Sequence, residues 1–256
     1  MGTLAGKTAL ITGASRHNGL GIAIARVLAT AGADACLAYF RPYDGAQPWA
    51  DDMGPAIDGV LREIADLGVR AVGFEVDLSK PSGAADLFDK ARSAFGTIDI
   101  LVNNAAYSAH DGIDRLDVAG LDAHYAVNLR ATALLTAEFV RHFDRAEGGR
   151  IINMTSGQGA GPMPDELAYA ATKGAIEALT TSVAPALAGR GITVNAIDPG
   201  VTDTGWIGED LRQSLVEAAP TGRLGEPDDA ARLVAFLASD EAKWITGQII
   251  RSRGGA

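Results

Sequence analysis

Residues 7–39 leave few folds open to this chain. Lys7-Thr-Ala-Leu-Ile-Thr12 reads as a short buried strand, followed at once by a glycine-bearing turn, Gly13-Ala-Ser-Arg-His-Asn-Gly19-Leu-Gly21. Leu20, Ile24, Val27, Leu28 and Ala31 then recur at helical spacing until Gly32 offers a stop. A second strand, Ala33 to Tyr39, completes a βαβ unit, whose crossover is expected to be right-handed. A glycine turn between strand and helix lets backbone N–H groups approach a pyrophosphate at the positive end of the helix.

The alternation continues to the C-terminus. Ile57, Val60, Leu61, Ile64 and Leu67 form a helix stripe before a strand at Ala71–Val76. A helix at 82–95 leads to the strand Ile98–Val102, and a long helix around 118–143 leads to the strand Arg150–Met154. After a helix bearing Tyr169 come the strand Ile192–Ile197, a mobile-looking segment from Thr202 to Pro220, a helix at 227–238 and a last strand, Gln248–Ile250. This pitch predicts an α/β fold with a parallel sheet covered on both faces, as a single domain over residues 1–256. The pattern breaks only at 41–55, a Pro-, Gly- and Asp-rich loop insertion. It reads either as a surface excursion or as a flap over the adenine end of a nucleotide or a subunit contact.

A formal net charge of -10 argues against a nucleic-acid or anionic-membrane surface. The single cysteine, Cys36, lies in an apolar run and reads as a buried structural thiol. No apolar run reaches ~18 residues and the N-terminus lacks a basic region followed by a long apolar one, so a cytoplasmic protein is expected. His17, His110, His124 and His142 lack metal-ligand spacing and read as surface or turn residues. No metal site is expected.

Open parallel sheets bind ligands beyond the carboxyl ends of their strands. Those ends carry Gly13, Tyr39, Asp77, Asn103-Asn104, Ser156 and Pro199-Gly200. Tyr169 and Lys173 stand four residues apart, so the phenol and the ammonium share one helix face. A lysine beside a phenol stabilises the phenolate and is expected to lower its pKa.

Thr12-Gly13, Asn103-Asn104-Ala105, Ser156, Tyr169-x3-Lys173 and Pro199-Gly200, in this order, resemble the motifs of the short-chain dehydrogenase/reductase family, in its 3-oxoacyl-carrier-protein reductase-like branch. The resemblance covers essentially the whole chain. It implies a single-domain, doubly wound Rossmann fold with a seven-stranded parallel sheet in the order 3-2-1-4-5-6-7. It implies a catalytic acid at Tyr169, with Lys173 lowering its pKa and binding nicotinamide ribose, a carbonyl-orienting serine at Ser156, and Asn128 as the asparagine that holds a water behind the lysine. It places the cofactor on Gly13, Ser15, Arg16, Gly19, Leu20 and Gly21 in the turn, on Tyr39 and Arg41 after the second strand, and on Asp77 and Leu78. Asn104, Ala105 and Ala106, together with Tyr169, Lys173, Pro199, Gly200, Thr202 and Thr204, complete that set. Tyr107, Gln158, Met163 and Trp206 are candidates for the substrate wall from their positions beside these motifs, with 202–220 as a substrate loop.

Cofactor choice follows from charge. An acidic residue after the second strand would take the ribose 2′-hydroxyl of NAD, whereas arginine accommodates the 2′-phosphate of NADP. Here Tyr39-Phe40-Arg41 has no carboxylate at Tyr39, and Arg16 lies in the turn, so NADP(H) is expected over NAD(H).

The chain departs from the family pattern at several points. His17-Asn18 lengthens the turn, which is similar to enoyl reductases, but those usually separate Tyr and Lys by six residues rather than three. Pro185 should kink or end the Tyr169 helix. Arg251-Ser252-Arg253-Gly254-Gly255 stands where many relatives have Asp-Gly-Gly. The reaction expected is reduction of a ketone, as a 3-oxoacyl thioester or as a free sugar, steroid or secondary metabolite. A nucleotide-binding regulator without turnover is the remaining alternative, and a homo-oligomer, tetramer or dimer, is implied by the resemblance.

Overall fold

The computed structural model describes residues 4–47 and 57–256. Seven parallel strands, β1 (Thr8–Thr12), β2 (Asp34–Tyr39), β3 (Ala71–Glu75), β4 (Ile100–Asn103), β5 (Gly149–Met154), β6 (Ile192–Asp198) and β7 (Ile249–Arg251), form one sheet in the order β3-β2-β1-β4-β5-β6-β7. β1 pairs with β2 on one side and β4 on the other, so strand order reverses beside the glycine turn, where such folds place their ligands.

Side-chain alternation along β1 divides the core between two faces. Ala9 and Ile11 join α1 (Leu20–Thr30), α3 (Ile57–Ala65) and α9 (Pro227–Ala238) in one apolar layer. Leu10, with Cys36 and Leu101, faces α4 (Gly83–Phe95), α6 (Thr132–His142) and α7 (Leu167–Ala188) on the other. Cys36 is fully buried, and burial pushes its thiol up to about 12, consistent with an unreactive packing residue.

The long helix expected at 118–143 is continuous but not uniform. α5 (Val118–His124) passes through a π-helical stretch at Tyr125–Ala131 before α6. α7 runs through Pro185 to Ala188, so the proline interrupts it only in its last turn.

Two loop expectations change. Arg41–Asp44 is a single helical turn, α2, which its proline at the N-terminus permits, while the rest of the 41–55 reading from residue 48 lies outside the described residues. The 202–220 segment is largely ordered by its own contacts: Thr202 bridges to Gly225, the Trp206 indole donates to the Thr202 carbonyl at 3.0 Å, Arg212 pairs with Asp203, and Glu209–Ala218 form helix α8. Among the described residues no helix is long and apolar enough to cross a membrane.

Candidate active site

A cleft of about 1100 Å3 opens across the carboxyl ends of the strands. Its floor at β1 depends on two glycines. Gly13 has φ +70°, and a Cβ there would lie 2.7 Å from the Ala105 Cα; a Cβ on Gly21 would lie 2.4 Å from the Gly13 carbonyl oxygen. Only glycine lets turn, helix and β4 meet this closely. Gly21 thus serves the close packing of turn and helix beneath the cleft lining.

Gly19 caps α1 without any side-chain acceptor for the helix amides, leaving a positive helix end on the cleft. Ser15, Arg16, Gly19 and Leu20 line this end. Arg16 Nη2 donates to the Thr204 carbonyl, tying the turn to the segment after β6. His17, the first of the two extra residues, is held by Arg26, which donates to its carbonyl at 3.2 Å and pairs with Glu63 at 2.7 Å.

Thr12 and Asn104 lock β1 to β4. The Asn104 and Ala105 amides both donate to Thr12 Oγ1 at 3.0 Å, and Asn104 Nδ2 donates to the Thr12 carbonyl at 2.9 Å. Tyr39, Asp77, Leu78, Ala105 and Ala106 stand in the wall, with Pro199, Gly200, Thr202 and Thr204 on the β6 side. Asp77 turns one oxygen inward to accept the Ser79 amide at 2.9 Å. α2 itself stands in the wall through Pro42, Tyr43 and Asp44, but the Arg41 side chain does not line it, and the Arg41 amide donates to Glu75 at 3.2 Å. Burial raises the Tyr39 phenol, and Glu75 and Asp58 add to the rise against Arg41.

At the opposite end, α7 presents Tyr169 and Lys173 and β5 leads into Ser156. Lys173 Nζ lies 5.3 Å from the Tyr169 ring centroid and donates to the Met154 carbonyl at 2.7 Å. Ser156 stands beside the Tyr169 phenol in the cleft wall. Burial pushes that phenol up to about 12 and Ser156 pulls the other way, with Glu166, Tyr43 and Asp198 adding to the rise. Lys173 is only 2% exposed, and burial pulls its ammonium down to about 8. The net shift of the phenol is thus upward, set by removal from water, rather than the lowering expected from Lys173.

Asn128, fully buried in the π-helical stretch, spends its side chain on its neighbours. Its Oδ1 accepts the Tyr107 amide at 2.7 Å, and its Nδ2 donates to the Tyr107 carbonyl and to Thr172 Oγ1, both at 3.0 Å. It clamps the chain after β4 to α7, one residue before Lys173. Asp111 acts from farther away, accepting the Leu167 amide at 2.6 Å and the Ala168 amide at 2.9 Å, and so caps α7 where the local Glu166 side chain does not.

Tyr107, Met163 and Trp206 line the cleft as expected, and Gln158 does not. Gln158 Nε2 donates to Glu177 at 2.7 Å and to Thr155 at 3.1 Å, because the Glu177 carboxylate on α7 draws donors away from the cleft. His124 is also corrected. It is 1% exposed, accepts the Ala109 amide at Nε2 (3.3 Å), hydrogen-bonds the Gly120 carbonyl through Nδ1 (2.7 Å), and packs edge-on against Tyr107 at 4.8 Å. Its partners fix the Nδ1–H tautomer. Tyr43 and Arg253 are further wall residues that sequence motifs did not supply. The Tyr43 hydroxyl accepts the Ser108 amide at 3.1 Å and donates to the Ser108 carbonyl at 3.2 Å, closing α2 against the chain after β4.

Residues 13–256 match the family described as Enoyl-(Acyl carrier protein) reductase. An uncharacterized oxidoreductase, YjdA, of Bacillus subtilis is 49% identical over 251 residues, 97% of this chain and 96% of that protein. The 3-oxoacyl-[acyl-carrier-protein] reductase FabG of Staphylococcus epidermidis is 37% identical over 97% of this chain and 98% of its own length. The chain belongs to the short-chain dehydrogenase/reductase family. Among solved structures, a short-chain dehydrogenase from Burkholderia cenocepacia in complex with NADP superposes with a TM-score of 0.85 at 35% identity, covering 98% of each chain. Membership in this FabG-like branch makes the protein an oxidoreductase enzyme of the CH–OH/C=O class.

Proposed function

We propose that this protein is an NADP(H)-dependent ketoreductase. The observation that carries the reading is the convergence of Ser156, Tyr169 and Lys173 in one cleft. Bound NADPH would supply the hydride. The chain's own residues do the rest: Ser156 and Tyr169 donate hydrogen bonds to the carbonyl oxygen as negative charge builds there, and Tyr169 passes its proton to that oxygen. Lys173 holds a positive charge behind the phenol and offers donors to the nicotinamide ribose. Asn128 fixes the spacing of Tyr107 and α7.

The cofactor suits the residues present. The close-packed glycines and uncapped α1 amides fit a pyrophosphate, and Ser15 and Arg16 offer phosphate donors. Asp77 and Leu78 fit the adenine side, and Asn104 to Ala106, Pro199, Gly200, Thr202 and Thr204 the nicotinamide side. Arg16 favours a 2′-phosphate, as Arg41 does from outside the wall, whereas Glu75 and Asp58 near Tyr39 oppose it. Catalytic efficiency measured side by side with NADPH and NADH tests the preference; equal or better efficiency with NADH refutes it.

Three residues between Tyr169 and Lys173 favour carbonyl over enoyl reduction, despite the family's description. A ketone is the substrate, either a 3-oxoacyl thioester, as the FabG relative's name suggests, or a free metabolite. Tyr107, Met163 and Trp206 would meet it, with the segment from Thr202 to Pro220 as the substrate loop. The exposed apolar side chains Val118, Leu121 and Tyr125 along α5 and its π-helical continuation fit self-association of a cytoplasmic enzyme. A spectrophotometric screen of NADPH oxidation with keto-thioesters, diketones, quinones and keto-sugars tests the activity; no turnover of any of them would favour a regulatory nucleotide-binding protein.

A further inference from the structure

Beyond β7 the chain stays in register beside the end of β6: the Ser252 amide donates to the Asp198 carbonyl at 2.7 Å, and Arg253 enters the wall of the cleft. Two glycines make room for it. A Cβ on Gly200 would lie 3.0 Å from Arg253 Cγ, and a Cβ on Gly157 would lie 3.0 Å from Arg253 Nη2. The side chain is 17% exposed, and its charge is answered by one ion pair, to the buried Asp198 carboxylate. Its Nε lies 3.5 Å from Asp198 Oδ2, too far for a hydrogen bond, and both atoms are buried without a hydrogen-bond partner. Asp198 Oδ1 is committed to the Gly200 amide at 2.9 Å. Among the described residues Nη1 and Nη2 meet no acceptor.

A guanidinium carries five N–H donors in a planar fork, and here Nη1 and Nη2 are open to the cleft rather than buried, free to meet a ligand. The fitting acceptor is a planar anion that enters the cleft, and a carboxylate matches the fork in two parallel hydrogen bonds. Gly157 follows Ser156 directly, and consecutive Cα atoms are ~3.8 Å apart, so an anion held at Nη2 lies only a few bonds from a carbonyl at Ser156. The positive end of α1 is in the turn after β1, at the other end of the cleft, so the same arginine does not double as the pyrophosphate site. Lys173 gives a hydrogen bond to Met154 behind the tyrosine and leaves Arg253 as the cation beside Ser156.

We propose that the physiological substrate is a short oxo acid whose free carboxylate is bound by Arg253 while its ketone lies against Ser156 and Tyr169. This rests on the ketoreductase reading for the position of the ketone. It distinguishes a free oxo acid, charged next to the reacting centre, from a thioester, neutral there.

The test compares acetoacetate with methyl acetoacetate in wild type, Arg253→Gln and Arg253→Lys, together with calorimetric titration of 3-hydroxybutyrate. The Kd for NADPH on the same samples reports that the cleft is folded. The expected result is a kcat/KM ratio of acid to ester of about ten- to a hundredfold in wild type, the gain of one charged hydrogen-bonded contact, carried mainly in KM. The ratio falls to about one in Arg253→Gln and recovers in part in Arg253→Lys. Ester turnover without any preference for the acid, or an unchanged ratio in Arg253→Gln, overturns the proposal and leaves the ketoreductase reading standing. If neither compound is reduced but 3-hydroxybutyrate binds wild type and not Arg253→Gln, the anion contact stands, the oxo-acid substrate is overturned, and the ketoreductase reading is decided by the wider ketone screen. If 3-hydroxybutyrate binds neither protein, the carboxylate site is refuted.

Discussion

The protonation of Lys173 makes a prediction about stability that is independent of any substrate. Its pKa falls from 10.5 to about 8 on folding because its ammonium leaves water. At ~1.4 kcal/mol for each pH unit between those values, the folded state bears a penalty of about 3 kcal/mol. The sign follows from proton binding. Below pH ~8 the lysine is charged in both states and the whole penalty is present. Between ~8 and ~10.5 the unfolded chain holds the proton while the folded protein releases it, so raising the pH relieves the penalty. Replacing Lys173 with Met removes the titration, and the lost hydrogen bond to Met154 adds an offset that does not depend on this group's pH response. Tyr169, whose phenol titrates only far above neutrality when folded, behaves alike in both proteins because Lys173 is not among the causes of its rise. Urea unfolding followed by tryptophan fluorescence should therefore show wild type gaining about 3 kcal/mol on Lys173→Met between pH 7 and pH 10.5. A difference that stays flat, or moves the other way, would mean that Lys173 keeps its solution pKa and that the buried-ammonium argument is wrong.

Other perturbations read the scaffold around the site. Asp111→Ala removes the acceptor for two amides of α7 and should cost about 0.5–2 kcal/mol, with kcat reduced and the Kd for NADPH nearly unchanged; equal loss in both would place the damage outside the catalytic helix. Gly13→Ala puts a methyl 2.7 Å from the Ala105 Cα at a positive φ, so nucleotide binding by calorimetry should be lost in a protein that still folds; wild-type affinity would contradict the close approach. Tyr43→Phe deletes both hydrogen bonds to Ser108 and should raise KM more than it lowers kcat, a split that steady-state kinetics measures directly. Leu121→Glu charges an exposed apolar position on α5 and should shift sedimentation velocity toward smaller species if that face joins copies of the chain.

The strands, the helices over both faces and the Tyr169–Lys173 pair were legible because they are local, whereas Ser156 came from the family resemblance. An apolar run bounded by glycine, a helical stripe and a four-residue spacing are all written within about one element. What was not legible depends on residues distant in the chain. Gln158 sits beside the Ser156 motif, but Glu177, nineteen residues on, captures its amide. Nothing around Asp111 announces that it caps a helix 56 residues later. His124 carries a weak signal, since it stands one turn before Asn128 on the same helix, but its burial depends on Tyr107 and Ala109. The Tyr169–Lys173 spacing predicted the juxtaposition correctly and its effect on the phenol wrongly, because spacing says nothing of the solvent both groups lose.

The central claim is that Tyr169 donates a proton as hydride reaches the carbonyl. Its most direct measurement is single-turnover oxidation of bound NADPH by wild type and Tyr169→Phe with a ketone that wild type reduces, with the Kd for NADPH determined alongside. The account predicts a rate in Tyr169→Phe lower by about 10²–10⁴-fold at an essentially unchanged Kd. A wild-type-like rate in that variant would contradict it.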